Sequence, residues 1–435
     1  MEGGLRVLGF GPRVYLGDIY LSLQREGHEV RVFAEDAPER RAFGGIIEPV
    51  ADWRAELDWV GRDGIVMFER VGHGALQDRL RAEGYRVVGG SAYGDRLEND
   101  RAFGQSVLRE MGLPVAASTA FDGPAQALEW LARNPGRHVL KFDDGARTTF
   151  VGDHPEGADT AFMLRRAGAS AGRVLLMRRL EGVEVGIGAY FDGREFLRPA
   201  CIDFEHKRFF PGEMGEMTGE MGTLASFEHS ERLFEETLGR AAPLLARAGH
   251  VGYVNLNLIV DEQGTWPLEF TCRFGNPGFA VLAAMQRDGW GDLLARMADG
   301  GAERFAALPG WSVAIVLTVP PFPAVSPDSP PDDDAPVFFL QTPEGAEAAH
   351  YHFVDMRREG GQLLGHRRSG HLMIVTGTGA DVPAAQEAAR ARARNVVAPE
   401  LRWRADIGDR FLHGEAARLR RLGWLPAAPD VAPGR

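Results

Sequence analysis

The sequence has few cysteines and no long hydrophobic run, and these two shortages exclude several classes of protein. Only Cys201 and Cys272 occur in 435 residues, so neither a disulfide framework nor a pair of Cys-x-x-Cys zinc motifs can organise the fold. No stretch approaches the roughly 20 apolar residues of a membrane-spanning helix. The opening "MEGGLRVLGFGPRV" lacks the long apolar core of a secretory leader. We therefore expect a protein of the reducing cytoplasm that has no membrane contact.

The chain also lacks an excess of basic residues. Lysine and arginine total 49 against 61 aspartates and glutamates, which gives a formal net charge of -12 at pH 7. Nucleic acid is therefore not an expected partner. The remaining composition, 44% hydrophobic and 25% charged residues, is that of ordinary globular proteins, and a chain of this length predicts several domains.

The first hundred residues alternate the patterns of strands and helices. "LRVLGFG", "HEVRVFAED", "GIVMFE" and "YRVVGG" are typical of strands, and "YLGDIYLSLQREG" and "GALQDRLRAEG" repeat apolar residues at helical spacing. This order predicts a doubly wound, Rossmann-like parallel sheet. Gly9 and Gly11 follow the first strand, where such sheets bind ligands. Because the full GxGxxG fingerprint is absent, they indicate either a weak dinucleotide motif or a tight turn.

The strand "HVLKFDDGAR" of a following α+β section places Lys141 among apolar residues. Its ammonium group must reach a partner or an open cleft, because an isolated buried charge is costly. An anionic ligand is one such partner. The alternative is that Lys141 pairs with Asp143 or Asp144, or extends along the strand to water.

The segment "YVNLNLIVDEQGTWPLEFTCRFGNPG" predicts two antiparallel strands joined by a turn near Glu262. One face of this ribbon is apolar, and the other carries Asn255, Asn257, Glu269, Thr271 and Arg273. Asparagine is depleted in strands, so this polar face is either solvated or lines a site. Oxygen-bearing side chains of this kind suit Mg²⁺, which keeps several waters and takes one or two protein oxygens.

Several motifs resemble those of one enzyme family. "EFTCRFGNPG" resembles the "EFNCRFGDPE" segment of glycinamide ribonucleotide synthetase (phosphoribosylamine-glycine ligase), a family of ATP-grasp enzymes. "HKRFFPGEMGEMTGEMG" resembles the family's "HKR" and "GPNTGGMG" motifs, with Glu216, Met217 and Glu220 replacing Pro, Asn and Gly. "RLENDRAFGQ", "RRLEGVEVGIGAYFDG" and "LRWRADIG" are similar to three further family segments. The motifs follow the family order over nearly the whole chain.

The resemblance implies an α/β and α+β multidomain fold. An N-terminal doubly wound pre-ATP-grasp domain is expected over residues 1-115, an ATP-grasp lid over 116-190, a central ATP-grasp domain with the Mg²⁺ site over 191-318, and a small β-rich C-terminal domain over 319-425. The segment "PPFPAVSPDSPPDDDAP" precedes the last domain. We expect it to be a loop, because a segment so rich in proline and aspartate cannot form a packed core. The repeated Gly-Glu-Met is expected to form a flexible loop over the substrate.

The reaction that the resemblance implies has two steps. A carboxylate attacks the γ-phosphate of ATP to give an acyl phosphate and ADP, and an amine then displaces phosphate to form an amide. The expected cofactors are ATP and Mg²⁺, with Mn²⁺ as a substitute. The expected substrates are an amine and a small carboxylate, which is either glycine or another amino acid. The protein is expected to be a monomer or a homodimer and to act in purine biosynthesis.

The same resemblance assigns roles to individual residues. The predicted catalytic residues are Arg273, which would face the carboxylate or its acyl phosphate, Lys207, and Glu213, which would hold an amino group. The predicted nucleotide contacts are Arg101, Lys141, Arg147, Arg178, Leu180 and Glu184. The predicted metal ligands are Glu269, Thr271 and Asn257. The predicted substrate loop residues are Arg13, Thr218, Gly219, Met221, Gly222 and Asn276.

Departures from the family pattern leave alternatives open. Thr149 replaces the lid lysine, and losing that contact would cost roughly 1.5 to 3 kcal/mol of ATP binding unless Arg147 substitutes. "GFGPRVYLGD" stands where the family has "GNGGREH", the loop that holds the 5-phosphate of phosphoribosylamine. We therefore expect a ligase of this type, or one recruited to other substrates in a specialised pathway. The alternatives are a silent ATP-binding scaffold and a carboxylase that uses bicarbonate.

Overall fold

The computed structural model describes residues 4–36, 40, 43–47, 49–142, 149–301, 303–324 and 334–427. Among the predicted features, Arg147, Asp143, Asp144 and residues 325–333 of the Pro/Asp-rich loop lie outside these residues. The chain divides into two compact units. The larger comprises Met1–Val107, Glu184–Asn257 and Glu269–Arg435, and the smaller comprises Leu108–Val183 and Leu258–Leu268. The four predicted domain boundaries stay a prediction.

The N-terminal part of the larger unit is a parallel sheet, as the sequence predicted. Its elements are β1 (Arg6–Gly11), α1 (Gly17–Arg25), β2 (Glu29–Ala34), α2 (Leu57–Val60), β3 (Ile65–Phe68), α3 (Gly74–Ala82) and β4 (Arg86–Val88), followed by α4 (Ala92–Asn99) and α5 (Arg101–Glu110). The strand order is β2-β1-β3-β4, and all three pairings are parallel. Val7, Leu8 and Phe10 of β1 are all buried, because the strand packs on both faces.

The smaller unit is an antiparallel sheet with helices. Its elements are β5 (Ser118–Phe121), α6 (Pro124–Arg133), β6 (His138–Phe142), β7 (Phe150–Val151), α7 (Ala158–Ala167) and β8 (Val174–Arg178), and the strand order is β5-β8-β6-β7. Proline stands in the first turn of α6, where its missing N–H is not needed. Leu131 of α6, Leu164 of α7 and Leu140 of β6 meet in one buried core.

The central part of the chain forms the strands that carry most of the predicted site. Its elements are β9 (Val183–Asp192), β10 (Cys201–Phe210), β11 (Met214–Ser226), α8 (Glu231–Glu236), α9 (Ala242–Arg247), β12 (Val251–Asp261), β13 (Gly264–Thr271), α10 (Gly278–Met285), α11 (Trp290–Asp299) and β14 (Trp311–Thr318). Strands β12 and β13 are the two predicted strands of the ribbon, and their turn falls at Glu262 and Gln263.

The C-terminal part adds strands and one long helix. Its elements are β15 (Ala335–Phe339), α12 (Gly345–Ala348), β16 (Tyr351–Phe353), β17 (Met356–Glu359), β18 (Gln362–Gly365), β19 (His371–Gly379), α13 (Val382–Asn395), β20 (Val396–Val397) and α14 (Ala416–Arg421). Two sheets result, in the orders β13-β12-β9-β10-β11-β14-β19-β16 and β17-β18-β15-β20. No helix among the described residues is long and apolar enough to cross a bilayer.

The repeated Gly-Glu-Met segment is a strand, and the expectation of a loop was wrong. Most of it belongs to β11, which pairs antiparallel with β10. The register shifts between the pairs His206–Gly222 and Arg208–Met217, so Lys207 alone stands opposite residues 218–221. Such a bulge bends the strand and redirects its side chains. The backbone pairing and the burial of Met221 outweigh the low strand propensity of glycine.

Candidate active site

A row of charged side chains lies on one face of β10. Asp203, Glu205 and Lys207 alternate along the strand, so they point to the same side of the sheet. The Lys207 Nζ lies 2.9 Å from Glu205 Oε2 and 2.9 Å from Glu184 Oε1, which is on neighbouring β9. Burial alone would lower the pKa of Lys207, but the charges of Glu205 and Glu184 raise it well above its ordinary value. Lys207 is therefore a fixed ammonium group.

The polar face of the ribbon is buried against these carboxyl groups. The Asn255 Nδ2 donates to Asp203 Oδ2 at 2.6 Å, and the Asn257 Nδ2 donates to Glu205 Oε2 at 3.2 Å. Only 9% of Asn255 and 6% of Asn257 are exposed. The two asparagines of this face are therefore buried rather than solvated, and their role in a binding site stays a prediction.

The two neighbouring carboxyl groups differ in protonation. Burial raises the pKa of Asp203, and the charge of Glu205 raises it further. The pKa of Glu205 is lowered despite its burial, because Lys207 and the amide of Asn257 stabilise the anion. Two adjacent carboxylates do not ionise together readily. The shared proton therefore resides on Asp203, and Glu205 carries the negative charge opposite Lys207.

A small cavity of about 40 Å³ opens beside these groups. Among the side chains that line it are those of Asp203, Glu205, Glu220, Thr223, Tyr253, Asn255 and Thr271. Thr223 donates a hydrogen bond to Glu220. Sequence reasoning missed Asp203, Glu205 and Glu220 as site residues. The alternation of polar residues along "CIDFEHK" could have found the first two, since that period places them on the face of Lys207.

Arg273 lies just after β13 at the edge of a second cavity, of about 230 Å³. Its Nε donates to Glu98 Oε1 at 3.2 Å, and the neighbouring backbone N–H of Cys272 donates to Glu98 Oε2 at 2.8 Å. Gly219 and Asn276 line the same cavity. The amide oxygen and nitrogen of Asn276 are both buried and have no hydrogen-bond partner among the described residues. The structure thus brings Arg273, Gly219 and Asn276 together.

Arg101 and Glu269, two residues of the predicted site, lie close enough for their charges to interact. Arg101 begins α5, and its Nη2 is buried without a hydrogen-bond partner among the described residues. Burial lowers the pKa of Arg101, and the charge of Glu269 opposes that effect. Glu184, another predicted nucleotide contact, is engaged by Lys207. The nucleotide roles of Arg101 and Glu184 stay predictions.

The predicted metal ligands supply oxygen atoms, but they do not by themselves complete the coordination of a metal ion. Glu269 is exposed, Thr271 is half-buried, and the Oδ1 of Asn257 is buried without a hydrogen-bond partner among the described residues. Within that part of the chain, no cluster of three or more His, Cys, Asp or Glu side chains could hold a metal ion. This donor set fits Mg²⁺ that is bound chiefly through water and phosphate oxygens.

Glu213, the predicted holder of an amino group, is engaged by the C-terminal segment. Its Oε1 lies 2.7 Å from Arg404 Nη2, and its Oε2 lies 3.6 Å from Arg410 Nη1. Arg404 is fully buried, and its Nη1 also donates to the backbone oxygen of Arg208 at 2.7 Å. The segments "HKRFFPGEMGEMTGEMG" and "LRWRADIG", which both resemble family motifs, therefore bind each other. The amino-group role of Glu213 stays a prediction.

His206 belongs to the same contact between motifs. Its Nε2 accepts the backbone N–H of Gly408 at 3.1 Å, and its Nδ1 lies 3.2 Å from the backbone oxygen of Phe204. Burial, together with the charges of Arg410 and Arg404, lowers the pKa of His206 to about 3. The imidazole is therefore neutral and structural.

The remaining substrate-loop residues have contacts of their own. Thr218 Oγ1 donates to the backbone oxygen of Lys207 at 2.8 Å, and Met221 is 1% exposed. A Cβ atom at Gly222 would lie 2.5 Å from the backbone oxygen of Ala314, so only glycine fits there. Arg13 Nη1 lies 3.9 Å from Asp355 Oδ2. Their substrate roles stay predictions.

Three predicted nucleotide contacts lie in the smaller unit. Lys141 is on β6, paired with Leu175 of β8, and Arg178 is exposed at the end of β8. Leu180 packs against a small core that contains Val139. These three assignments also stay predictions.

Comparison with known proteins identifies the family. The model of the phosphoribosylglycinamide synthetase ATP-grasp (A) domain matches residues 99–279. A phosphoribosylamine-glycine ligase of Streptomyces coelicolor is 30% identical over 333 residues, which cover 73% of this chain and 77% of that protein. The chain belongs to the phosphoribosylamine-glycine ligase family. Another relative with this name, from Ralstonia nicotianae, is 26% identical over 384 residues, covering 84% of this chain and 89% of its own.

Two solved structures have folds similar to that of this chain. The crystal structure of the phosphoribosylamine-glycine ligase of Thermotoga maritima has a TM-score of 0.68 at 19% identity and covers 93% of this chain and 100% of its own. A biotin carboxylase of Campylobacter jejuni has a TM-score of 0.63 at 11% identity, covering 95% and 98%. The predicted multidomain ATP-grasp fold is confirmed. The phosphoribosylamine-glycine ligase family consists of ATP-grasp ligases that form C–N bonds, and this membership favours a ligase over a scaffold.

Proposed function

We propose that the chain joins the carboxylate of an amino acid to an amine and converts ATP to ADP and phosphate. The observation that carries this proposal is the cavity of about 230 Å³ that Arg273 and Asn276 line, next to the buried face of asparagine and carboxyl groups. A guanidinium group is the side chain best matched to a carboxylate or an acyl phosphate. Glycine is the first carboxylate to test, because the relatives are named as glycine ligases.

The proposed reaction balances in two steps. A carboxylate oxygen forms a bond to the γ-phosphorus of ATP, and the bond from that phosphorus to the bridging oxygen of ADP breaks. The amine nitrogen then forms a bond to the acyl carbon, loses a proton, and the carbon–oxygen bond to phosphate breaks. Catalysis of such a transfer is mainly positioning and charge stabilisation.

In this proposal, residues of the larger unit position the substrates and stabilise the negative charge. Arg273 would orient the carboxylate, and the fixed ammonium of Lys207 would add positive charge beside it. Arg101 and Glu184 are the proposed nucleotide contacts. Mg²⁺, when held by oxygens of Glu269, Thr271 and Asn257 together with phosphate, would neutralise phosphate charge. The predicted cytoplasmic location belongs to this proposal, since Cys201 and Cys272 are free, buried thiols.

A trapping experiment tests the proposed function without knowledge of the amine. The protein is incubated with ATP, Mg²⁺, hydroxylamine and one amino acid at a time, and ADP and the amino-acid hydroxamate are measured. We expect equal amounts of ADP and hydroxamate with at least one amino acid. If no amino acid yields hydroxamate, although a thermal shift shows that ATP binds, the proposal is contradicted and a nucleotide-binding scaffold remains.

A further inference from the structure

Glu220 stands at the boundary of the two cavities in the larger unit. It lines the cavity of about 230 Å³ together with Arg273 and Asn276, and it also lines the cavity of about 40 Å³ together with Asp203 and Asn255. Of the described residues that line these two cavities, Glu220 alone is common to both. Its side chain therefore connects the place where Arg273 would bind a carboxylate with the buried polar face of β10 and β12.

One oxygen of the Glu220 carboxyl group is held and the other is available to a ligand. Thr223, a residue that is 2% exposed, donates its hydroxyl to Glu220 Oε1. Glu220 itself lies in the bulge of β11 opposite Lys207. Glu220 Oε2 has no hydrogen-bond partner among the described residues, and, unlike Asp203 Oδ1, it is not shut off from solvent.

The surroundings of Glu220 favour a neutral carboxyl group. Burial raises the pKa of Glu220 well above its ordinary value, and the neighbouring carboxyl groups of Glu205 and Asp203 raise it further, whereas Thr223 and Lys207 oppose the rise. A second anion here would lie beside Glu205, which already carries the negative charge opposite Lys207. The other titratable side chains that face the two cavities are those of Tyr15, Glu69, Arg70, Cys201, Tyr253, Arg273 and His371.

Glu220 is a departure from the family motif, and a second departure lies at the same cavity. Glu220 stands where "GPNTGGMG" has glycine, and Gly278 stands where "EFNCRFGDPE" ends in glutamate. Gly278 also lines the smaller cavity, and a Cβ atom there would meet open space among the described residues. Relative to the motifs, the chain lacks a carboxyl group at one wall of this cavity and has one at another wall. This exchange favours a functional role for the Glu220 carboxyl group.

We propose that Glu220 is a neutral carboxylic acid whose Oε2–H donates to the acyl oxygen while the amine attacks. As the nitrogen forms its bond to the acyl carbon, an electron pair of the C=O bond moves to that oxygen, and it returns when the carbon–oxygen bond to phosphate breaks. The proton stays on Glu220 throughout. A donor placed at such an oxygen stabilises the tetrahedral intermediate, and a carboxyl group that burial keeps neutral can supply it. The proposal rests on the proposed function and adds a residue to its second step.

Two substitutions separate a neutral donor from an anion at this position. Glu220→Gln keeps a neutral donor, and Glu220→Met removes the donor at similar size. With ATP, Mg²⁺, hydroxylamine and the amino acid that gives hydroxamate, kcat should stay within about threefold of the wild type in Glu220→Gln. It should fall about 100-fold in Glu220→Met, as when one donor to such an oxygen is lost. The KM for the amino acid should change in neither variant, because this contact forms only in the transition state.

The matched control is Glu216→Met, at an exposed position of the same strand, which should behave as the wild type does. An inactive Glu220→Gln would indicate a required anion and would overturn the proposal. A fully active Glu220→Met would overturn it as well. Wild-type protein that yields no hydroxamate with any amino acid would contradict the proposed function itself, so the two failures give different results.

A single-turnover measurement assigns the effect to the second step. ADP formed in the first turnover reports the attack on ATP, and it should form about as fast in Glu220→Met as in the wild type. Equal losses in both steps would overturn the proposal. If Glu220→Met does not fold, pH dependence decides: the donor is present below the raised pKa of Glu220, so the wild-type kcat relative to that of Glu220→Gln should fall as the pH rises through it. A constant or rising ratio would overturn the proposal.

Discussion

Lys207 is held between Glu205 and Glu184, with its Nζ 2.9 Å from one carboxylate oxygen of each. Among the 49 basic residues of the chain, Lys141 and Lys207 are the only lysines. Both were predicted as site residues. All other basic residues of the chain are arginines. The two lysines therefore indicate that these positions need a compact ammonium group rather than the planar, forked guanidinium group.

Replacing Lys207 should impair both stability and activity. Lys207→Met removes the cation that compensates two carboxylates, and breaking a partly buried pair of this kind should cost about 2 kcal/mol of unfolding free energy. ADP release should fall about 100-fold, as when one electrostatic contact to the reacting group is lost. The thermal midpoint and ADP release are measured beside Arg232→Met, an exposed partner of Glu236. Equal behaviour of the two variants would contradict this role.

Replacing Arg273 by lysine should affect the carboxylate substrate selectively. Arg273→Lys keeps the charge but loses the forked donor geometry, so kcat/KM for the amino acid should fall about 10-fold to 100-fold, the equivalent of one charged hydrogen bond. The KM for ATP should change little. Arg287→Lys, at an exposed position, is the matched control. A loss confined to ATP binding would show that Arg273 does not face the carboxylate.

The stability of the protein should depend on pH through Asp203. Its pKa is raised in the folded state by burial and by Glu205. Its contribution to stability is therefore fully present below the ordinary aspartate pKa and is lost as the pH rises through the raised value. Asp203→Asn should remove this loss, so its thermal midpoint relative to the wild type should rise with pH from about pH 4 upward. A difference that does not vary with pH would refute the assigned protonation.

The contact of Arg404, in the C-terminal segment "LRWRADIG", with the segment "HKRFFPGEMGEMTGEMG" should be a major source of stability. Arg404 is fully buried and binds Glu213, Asp406 and the backbone of Arg208. Arg404→Met would leave two carboxylates without this partner and should lower the unfolding free energy by about 3 kcal/mol. Arg394→Met, at an exposed pair with Glu387, is the control. A thermal midpoint equal to that of the control would contradict the prediction.

The parallel sheet and the ribbon were predictable because local patterns determine them. Apolar runs and helical periods placed β1, α1 and β2 to within a few residues. The strand character of residues 214–226 was not predictable from this segment alone, because its glycines disfavour strands and the pairing with β10 and β14 overcomes that preference. Tertiary pairing, which a local pattern does not contain, determined this element.

Some residues of the candidate site could also be predicted from the sequence, and others could not. Motif resemblance pointed to Arg273, Lys207 and Asn276, which line or adjoin the cavities. Glu98, the partner of Arg273, was not predictable from its neighbourhood in the sequence, since the two residues are 175 positions apart. The protonation of Asp203 also depends on Asn255 and Glu205, which meet it only in the folded sheet.

Oxygen transfer from the carboxylate to phosphate tests the central claim most directly. The amino acid that supports ADP release is labelled with ¹⁸O in its carboxylate, and the phosphate product is examined by ³¹P NMR or mass spectrometry. An acyl phosphate predicts one ¹⁸O atom in the phosphate for each ADP formed. Unlabelled phosphate, or AMP and pyrophosphate in place of ADP, would contradict the account.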